Sequence, residues 1–337
     1  MRVLYDPAPR RSDEIFAPDD WARFCDSYDV VEVPAEARAE WYARELPLAD
    51  VVISQQNMFR DRLDAAPKLR AIVNVETNFL PNVDYAHCFQ RGIHVLTPAS
   101  VFALPVAEMG LGMALSLARG IHSAHGDFVA GCEAYGLEGN TQAELLTGGR
   151  IGFLGFGDLG RALHRLLAPF GARVQVHDPW LPDGHLRRQG VEPVGLDRLL
   201  RENRVVFVVA AVTSENSHLL NADRLAMMPD GAMLILLSRA ALLDFTAMAQ
   251  EAATGRLRFA TDVFPEEPVS HDDPIRQVPG ILFSAHRAGA LTHALQQIGA
   301  LVLEDLGQIA RGLPPIACRR AEPETVGRLR SKPVDGS

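Results

Sequence analysis

RIGFLGFGDLGRALHRLLAPFG, residues 150–171, is the most informative segment of this 337-residue chain. An apolar run leads into three glycines at GxGxxG spacing, Gly155, Gly157 and Gly160, and apolar residues at helical spacing follow. In a strand–turn–helix, the first glycine permits a tight turn, the second lets the backbone approach a pyrophosphate, and the third lets helix and sheet pack closely. The stretch therefore predicts the phosphate-binding turn of a dinucleotide site, formed by Gly155, Gly157, Asp158, Leu159 and Gly160.

An acidic residue follows at the distance that such a site needs. The next predicted strand, 174–177, ends at Asp178, which lies 18 residues after Gly160. A carboxylate there can bind a ribose diol and would repel a 2′-phosphate, so the sequence predicts NAD rather than NADP as the cofactor. Asp158 is better explained as a helix cap than as a direct ligand, because a negative charge beside a pyrophosphate weakens binding.

Two series of short apolar runs alternate with helical patterns, which indicates parallel sheets in two α/β domains. Strands are predicted at 3–5, 30–33, 51–54, 71–75 and 94–96, and then from 151 through 174–177, 205–210, 233–237, 259–263 and 281–283. Helices are expected at 105–119 and 291–311. We predict two doubly wound sheets: a flavodoxin-like substrate domain over 1–99 and 289–322, and a Rossmann NAD-binding domain over 100–288. Residues 323–337 are expected to form a disordered tail.

The composition excludes several classes of partner. A formal charge of −9 and a pI near 5.7 argue against nucleic acid, which is bound through clustered Lys and Arg. The four cysteines are scattered without zinc spacing, so no metal site is expected. The N-terminus resembles a first strand rather than a signal peptide, and the longest uninterrupted apolar run, 205–212, is too short for a bilayer. We expect a cytoplasmic protein with no membrane partner.

Three polar residues follow successive predicted strands in the second series, where ligand sites of open α/β sheets lie. They are Arg239 in SRAALLD, Glu267 in DVFPEEP and His286 in SAHRAG. Each has a structural explanation when taken alone: a carbonyl cap, a solvated loop acid and a core histidine. Their joint position at neighbouring strand ends favours a catalytic group.

The chain resembles the D-isomer-specific 2-hydroxyacid dehydrogenase family, which includes glycerate, phosphoglycerate, formate and phosphite dehydrogenases. The resemblance covers most of the chain and is carried, in order, by RGIHVLTP, PVAEMGLGMALSLAR, GFGDLG with HDP, VTSENSHLLNADRLAMMPDGAMLILLSRAALLD, DVFPEEP, SAHRAG and RGLPPIAC. It implies that His286 transfers the proton, that Glu267 hydrogen-bonds to and tunes it, and that Arg239 anchors the substrate. It also implies that Asp262 faces the nicotinamide carboxamide, with Thr213, Ser238 and Gly289 against the cofactor.

The expected function is hydride transfer between NAD and a small 2-hydroxy or 2-keto acid. Hydride can leave a hydroxyl carbon only as the hydroxyl proton leaves, and histidine is suited to that proton transfer. A guanidinium is suited to binding the acid's carboxylate at two points. By resemblance we also expect a homodimer built through the 100–150 region and closure of the two domains on a small anionic substrate.

The first domain departs from the family where an anion-binding, glycine-containing loop is expected. This chain has VNVETNFLPNVDY, residues 73–85, in which Thr77 and Phe79 replace small residues. Glu76 would repel a carboxylate but could select a hydroxyl or ammonium group. By position alone, we therefore expect Glu76, Thr77 and Asn78 to contact the substrate. Phe79 is explained as a core residue.

Two other functions remain open. An NAD-sensing, dehydrogenase-like regulator would keep the same Arg239, Glu267 and His286, as corepressors related to the family do. No long low-complexity extension that could tether partners accompanies this chain. A dehydrogenase for a non-carboxylate anion, such as phosphite, is compatible with the altered loop and with Arg287, an unusual residue beside His286.

Overall fold

The computed structural model describes residues 1–76, 79–213 and 215–330, and the chain divides into two compact units. The N-terminal unit comprises Met1–Phe102 together with the chain from Ala290 onward, and the central unit is Ala103–Gly289. Each unit is built on its own sheet.

The first part of the N-terminal unit alternates strands with helices. The strands are β1 (Arg2–Asp6), β2 (Asp29–Glu32), β3 (Val51–Ser54), β4 (Ala71–Val73) and β5 (His94–Thr97). The helices are α1 (Ser12–Ile15), α2 (Pro18–Ser27), α3 (Arg38–Glu45), α4 (Arg60–Asp64) and α5 (Tyr85–Arg91). β1, β3, β4 and β5 are buried along nearly their whole length, as parallel strands covered on both faces must be.

The central unit begins with two helices and continues as a strand–helix series. Its helices are α6 (Ala103–Arg119), α7 (Ile121–Ala130), α8 (Asp158–Leu167), α9 (Asp183–Arg188), α10 (Leu196–Glu202), α11 (Ala222–Leu225) and α12 (Phe245–Ala253). Its strands are β6 (Arg150–Leu154), β7 (Arg173–His177), β8 (Glu192–Pro193), β9 (Val205–Val208), β10 (Val212–Thr213), β11 (Met233–Leu236), β12 (Arg258–Thr261) and β13 (Ile281–Phe283).

The chain then completes the N-terminal unit with α13 (Thr292–Ala310), β14 (Arg319–Arg320), α14 (Pro323–Val326) and β15 (Leu329–Arg330). α13 packs against α1 and α2, and α14 packs against α5. Val326 is buried. The predicted disorder of the tail is therefore wrong for 323–326, because a short helix there buries an apolar side chain; residues beyond 330 lie outside the described part.

The sheet of the N-terminal unit has the strand order β14-β5-β4-β3-β1-β2, in which β14 alone is antiparallel to its neighbour among the strands described. From β1, the chain adds β2 on one side and then β3, β4 and β5 on the other. The strand order therefore reverses between β1 and β3. In open α/β sheets the crevice for a ligand lies at such a reversal, beside the carboxyl ends of the strands.

The central sheet has the order β13-β12-β11-β9-β6-β7-β8, with all pairs parallel. Consecutive residues of β6 and β9 pack into different hydrophobic cores. Phe153 and Phe207 belong to one core, and Leu154 and Val208 belong to the other. Successive strand residues point to opposite faces, so the sheet is covered on both sides. The two-domain α/β fold with parallel sheets is as the sequence predicts. β8, with two residues, was too short to predict.

One helical stretch in the described chain, Ala99–Arg119, is long and apolar enough to cross a membrane by length and composition alone. Within it, α6 packs against α8 and buries one face in the core, at Ala107, Gly110, Met113, Ala114, Leu117 and Ala118. This packing is that of a core helix.

A glycine of α13 supplies a test of this packing. A Cβ at Gly299 would lie 2.4 Å from Cδ1 of the buried Phe16, whereas a Cβ at Gly307 would meet no atom within 4 Å. Gly299→Ala should therefore lower the free energy of unfolding by about 1–3 kcal/mol through overpacking. Gly307→Ala, the matched control in the same helix, should raise it by up to about 1 kcal/mol. Urea unfolding measures both, and equal effects of the two changes would contradict the packing described.

Candidate active site

The three glycines of the β6–α8 turn have different surroundings. Gly155 has a φ of +93°, and a Cβ there would lie 2.5 Å from Cα of Ala210, so this position requires glycine. A Cβ at Gly160 would lie 3.0 Å from the Gly155 carbonyl oxygen, because α8 begins close against the turn. A Cβ at Gly157 would meet no atom within 4 Å. The turn is therefore open at Gly157, beside the N-terminus of α8, where a pyrophosphate fits.

Asp178 connects the end of β7 to this turn. Its Oδ2 accepts a hydrogen bond from the Phe156 N–H at 2.8 Å, and its Oδ1 accepts one from the Trp180 N–H at 2.9 Å. Each carboxylate oxygen can accept a second bond. The residue is partly buried, so a ribose diol can still reach it. The binding of a ribose diol by Asp178 stays a prediction.

Asp158 does not cap α8, which corrects the expectation from the sequence. The N-cap is Gly157, and no side chain accepts a hydrogen bond there. Asp158 is instead the first helical residue, and its Oδ1 lies 2.5 Å from Nη2 of Arg161. This ion pair balances the negative charge beside the phosphate turn. Arg161 was missed by the sequence reasoning, although the i,i+3 spacing of opposite charges was a usable signal.

Two predicted cofactor residues, Thr213 and Ser238, lie beyond the carboxyl ends of the neighbouring strands β9 and β11. The Thr213 N–H donates to Oδ1 of Asn216 at 2.8 Å, and Nδ2 of Asn216 donates to the Ala211 carbonyl at 2.9 Å, which holds the loop after β9. Ser238 is 9% exposed, and its Oγ has no partner among the described residues. A buried hydroxyl without a partner is costly unless a ligand completes it, so Ser238 fits a cofactor contact. Gly289 is half-buried.

The three predicted catalytic residues follow β11, β12 and β13, which are adjacent in the sheet. Nη1 of Arg239 donates to the Ser238 carbonyl at 2.7 Å, and its side chain is partly exposed. Glu267 follows β12, and His286 follows β13. In the described part of the chain, no three His, Cys, Asp or Glu side chains form a group that could hold a metal ion.

Glu267 and His286 form a direct pair. Oε2 of Glu267 lies 2.5 Å from Nδ1 of His286, and Oε1 accepts a hydrogen bond from the Phe264 N–H at 2.8 Å. When Nδ1 carries the proton shared with the carboxylate, Nε2 of a neutral imidazole is an acceptor. The His286 side chain is 49% exposed, and the structure gives Nε2 no partner among the residues it describes. The exposed nitrogen is therefore available to a substrate.

Asp262 holds the backbone that carries His286. The His286 N–H donates to the Asp262 carbonyl at 2.7 Å, and the next two N–H groups, of Arg287 and Ala288, donate to its Oδ1 and Oδ2 at 3.0 Å each. His286 has a φ of +49°, in the left-handed region. The three hydrogen bonds to Asp262 hold the backbone in this conformation. Asp262 is 1% exposed. Each of its carboxylate oxygens accepts one backbone N–H, and its expected contact with a nicotinamide carboxamide stays a prediction.

In the N-terminal unit, the predicted substrate residues Thr77 and Asn78 lie outside the described residues. Oε1 of Glu76 forms an ion pair with Nε of Arg10 at 3.0 Å. The sequence reasoning missed Arg10, which belongs to no periodic or motif pattern. Phe79 is buried with its ring edge-on to Tyr85, as expected for a core residue.

The open position at Gly157 gives a test of the cofactor site. Its φ of −72° is accessible to alanine, so Gly157→Ala should fold normally. The added methyl group would nevertheless occupy the space that a pyrophosphate needs, so we expect NADH affinity to fall by at least about tenfold, or 1.4 kcal/mol. Nicotinamide fluorescence titration measures the affinity, and thermal melting checks the fold. Gly155→Ala, which conflicts with Ala210, should instead lower the melting temperature; unchanged NADH binding by Gly157→Ala would contradict the assignment.

Comparison with known proteins also identifies the central unit as an NAD-binding domain. Residues 111–288, more than half of the chain, match the model of the D-isomer specific 2-hydroxyacid dehydrogenase, NAD binding domain. The D-3-phosphoglycerate dehydrogenase of Methanocaldococcus jannaschii is 25% identical over 302 residues, 87% of this chain but 56% of that protein's length. The glyoxylate reductase of Korarchaeum cryptofilum is 27% identical over 263 residues, 75% of this chain and 76% of the relative.

A solved structure extends the similarity over nearly the whole chain. A phosphoglycerate oxidoreductase from Rhizobium etli is 47% identical, with a TM-score of 0.88 over 96% of this chain and 99% of that one. The matched segment contains both the phosphate turn and the pair of Glu267 and His286. The chain therefore belongs to the D-isomer specific 2-hydroxyacid dehydrogenases, a family of NAD-dependent oxidoreductases.

Proposed function

We propose that this protein interconverts a small 2-hydroxy acid and its 2-keto acid with NAD, using His286 as the acid and base. The observation that carries the proposal is the hydrogen bond between Glu267 and Nδ1 of His286, at the end of a sheet that also holds the dinucleotide turn. Relatives named phosphoglycerate dehydrogenase, glyoxylate reductase and hydroxypyruvate reductase act on acids of this class by their names.

His286, Glu267 and Arg239 have separate roles in the proposed reaction. When bound, NADH supplies a hydride to the carbonyl carbon. His286, protonated on both nitrogens, donates the Nε2 proton to the carbonyl oxygen, and in the oxidative direction Nε2 accepts the hydroxyl proton. Glu267 holds Nδ1 protonated and stabilises the imidazolium by its charge. Arg239 binds the substrate carboxylate or carbonyl oxygen and orients the reacting carbon.

Asp262 acts in this proposal as a positioning residue. It fixes three consecutive N–H groups, from His286 to Ala288, so the imidazole occupies one place although its side chain is half-exposed. A rigid support of this kind keeps the proton donor within hydrogen-bond reach of the substrate oxygen. Asp178 gives the proposed preference for NADH over NADPH, because its carboxylate would repel a 2′-phosphate.

Variants of His286 test the reaction. His286→Asn keeps a residue that tolerates the left-handed backbone but removes the acid, and it should lower kcat by about 10²- to 10⁴-fold. Its affinity for NADH should be unchanged, because the dinucleotide turn is intact. We would measure NADH-dependent reduction of 2-keto acids of increasing side-chain size, with NADPH in parallel and His286→Ala beside His286→Asn.

Other outcomes of this experiment would contradict the role of His286 or the proposed reaction. Turnover that survives in His286→Asn would remove His286 from the mechanism. Tight NADH binding without reduction of any keto acid would contradict the proposed reaction. Phosphite oxidation with NAD⁺ would then favour the non-carboxylate substrate, and its absence would favour an NAD-sensing role.

We also propose that the protein forms a homodimer through residues 103–145 of the central unit. Most large apolar side chains exposed in the described chain lie in this segment: Leu104, Ile121, Phe128, Val129, Tyr135, Leu137 and Leu145. An apolar patch of this kind marks a protein–protein interface more often than a free surface. The expectation from the family resemblance, a dimer built through the 100–150 region, supports the same proposal.

The oligomeric state is measured by light scattering after gel filtration. We expect a mass about twice the 36.8 kDa of the chain. Val129→Lys, at a side chain 73% exposed, should give monomers because a charge cannot be buried unpaired in an interface. Ile316→Lys, at a similarly exposed side chain in the N-terminal unit, is the control and should stay dimeric. A monomeric parent protein would exclude the dimer.

A further inference from the structure

A cavity of about 440 Å³ lies at the amino-terminal edge of the central sheet. Its lining includes Arg204, which precedes β9, Gly231, which precedes β11, and Arg256 and Arg258 around the start of β12. Residues 141–144, before β6, also line it. Pockets of about 300–1,000 Å³ are typical of small-molecule sites. The cavity is therefore large enough for a small ligand.

This cavity is separate from the proposed active site. Arg239, Glu267 and His286 follow the carboxyl ends of β11, β12 and β13, whereas the cavity adjoins the amino ends of β9, β11 and β12. β11 has four residues, so the two edges of the sheet are on the order of 13 Å apart, at about 3.3 Å per residue. A ligand in the cavity is therefore distinct from the reacting substrate.

Arg204 and Arg258 share one carboxylate. Nε of Arg204 donates to Oε1 of Glu144 at 2.9 Å, and its Nη2 donates to the same oxygen. Nη2 of Arg258 lies 3.7 Å from that oxygen. A Cβ at Gly231 would lie 2.9 Å from Nη2 of Arg204, so the glycine leaves room for the guanidinium. One negative charge therefore faces two positive charges at this corner of the cavity.

Arg258 is a buried cation that neutral groups hold in place. Its side chain is 14% exposed. Its N–H groups donate to three backbone carbonyls, those of Leu117, Gln142 and Gly231. Burial lowers the pKa of Arg258, and the charge of Arg204 lowers it further, against the opposing effect of Glu144. A buried charge that is incompletely balanced favours an anion beside it.

The other arginine of the cavity is already balanced. Nε of Arg256 donates to Oε2 of Glu251 at 2.6 Å, and Oδ1 of Asp230 lies 3.5 Å from its Nη1. Asp230 is 88% exposed, so water and salt screen its charge from the buried Arg258. The excess positive charge is thus located at Arg204 and Arg258.

Several donors at this corner have no partner among the residues that the structure describes. Nη1 of Arg204 is one of them, and the side chain of Arg204 is 50% exposed. The hydroxyl of Thr141 and the side-chain amide of Gln142 also line the cavity. Guanidinium, hydroxyl and amide donors together suit the several oxygens of a phosphate better than the two oxygens of a carboxylate.

We propose that this cavity binds a phosphate group, free or as a phosphate monoester, through Arg204 and Arg258. The bound anion balances the positive charge that Glu144 leaves over, and it stabilises the central unit. The site is independent of the proposed reaction, because it lies at the opposite edge of the sheet and uses residues that take no part in hydride transfer.

Calorimetric titration tests the site. Residues 141–144 belong to the segment proposed to form the dimer, so the protein is used in the oligomeric state that it adopts in solution. It is saturated with NADH, so that phosphate cannot occupy the dinucleotide turn. Inorganic phosphate should bind at least about tenfold more tightly than acetate at equal ionic strength. Glycerol 1-phosphate distinguishes the two sources: tighter binding of the ester identifies a phosphorylated compound as the ligand, and tighter binding of inorganic phosphate identifies the free ion.

Two substitutions at the shared carboxylate should act in opposite directions. Arg204→Gln removes a donor and should weaken phosphate binding by about 10- to 100-fold, the loss expected for charge-assisted hydrogen bonds. Glu144→Gln removes the competing negative charge and should strengthen phosphate binding by about two- to fivefold. Arg198→Gln is the matched control, because Arg198 is 52% exposed and pairs with Glu202 elsewhere in the central unit. It should leave phosphate binding unchanged.

Thermal melting gives a second readout, because a ligand that binds only the folded protein raises its melting temperature. Phosphate should raise the melting temperature of the parent protein and of Arg198→Gln, but not that of Arg204→Gln. No binding by the parent protein, equal binding of acetate, or binding that Arg204→Gln leaves unchanged would each overturn the site. Absence of keto-acid reduction would contradict the proposed function alone, since phosphate binding is measured without turnover.

Discussion

The buried carboxylate of Asp262 is the constraint on which the proposed chemistry depends. One residue accepts hydrogen bonds from three consecutive N–H groups and so holds His286 in a left-handed backbone conformation that is unfavourable for most side chains. Without it, the segment after β13 would be a loop whose histidine could take many positions. With it, the imidazole meets Glu267, which is itself held by the Phe264 N–H. The pair is thus supported at both ends by the backbone.

Charge balance is the second recurring feature. The chain has a formal charge of −9, yet its proposed ligands are anions. Three acidic residues are each paired with an arginine: Asp158 with Arg161, Asp6 with Arg38 and Glu76 with Arg10. Local pairing lets an acidic protein receive a dinucleotide or an acid without direct repulsion. The pairs of Asp158 and Glu76 are partly exposed and contribute little stability, so their main effect is on the local electrostatic potential.

The sequence predicted the features that depend on local pattern. Gly155 and Gly160 are required by backbone geometry that GxGxxG spacing encodes, and Asp178 follows a strand at a fixed distance from them. The apolar runs predicted the two sheets for the same reason. The pair of Glu267 and His286 was predicted through resemblance and strand ends rather than through spacing, since 19 residues separate them.

Other features depend on contacts that no local pattern records. The backbone-holding role of Asp262 could not be predicted from the sequence, because its hydrogen bonds to residues 287 and 288 form only when β12 and β13 lie side by side. The ion pair of Arg10 and Glu76 joins residues 66 positions apart through the loops after β1 and β4. The division of the chain also bears on its evolution. Arg239, Glu267 and His286 all lie in the central unit, so mutations in the N-terminal unit leave the proton-transfer group itself unchanged.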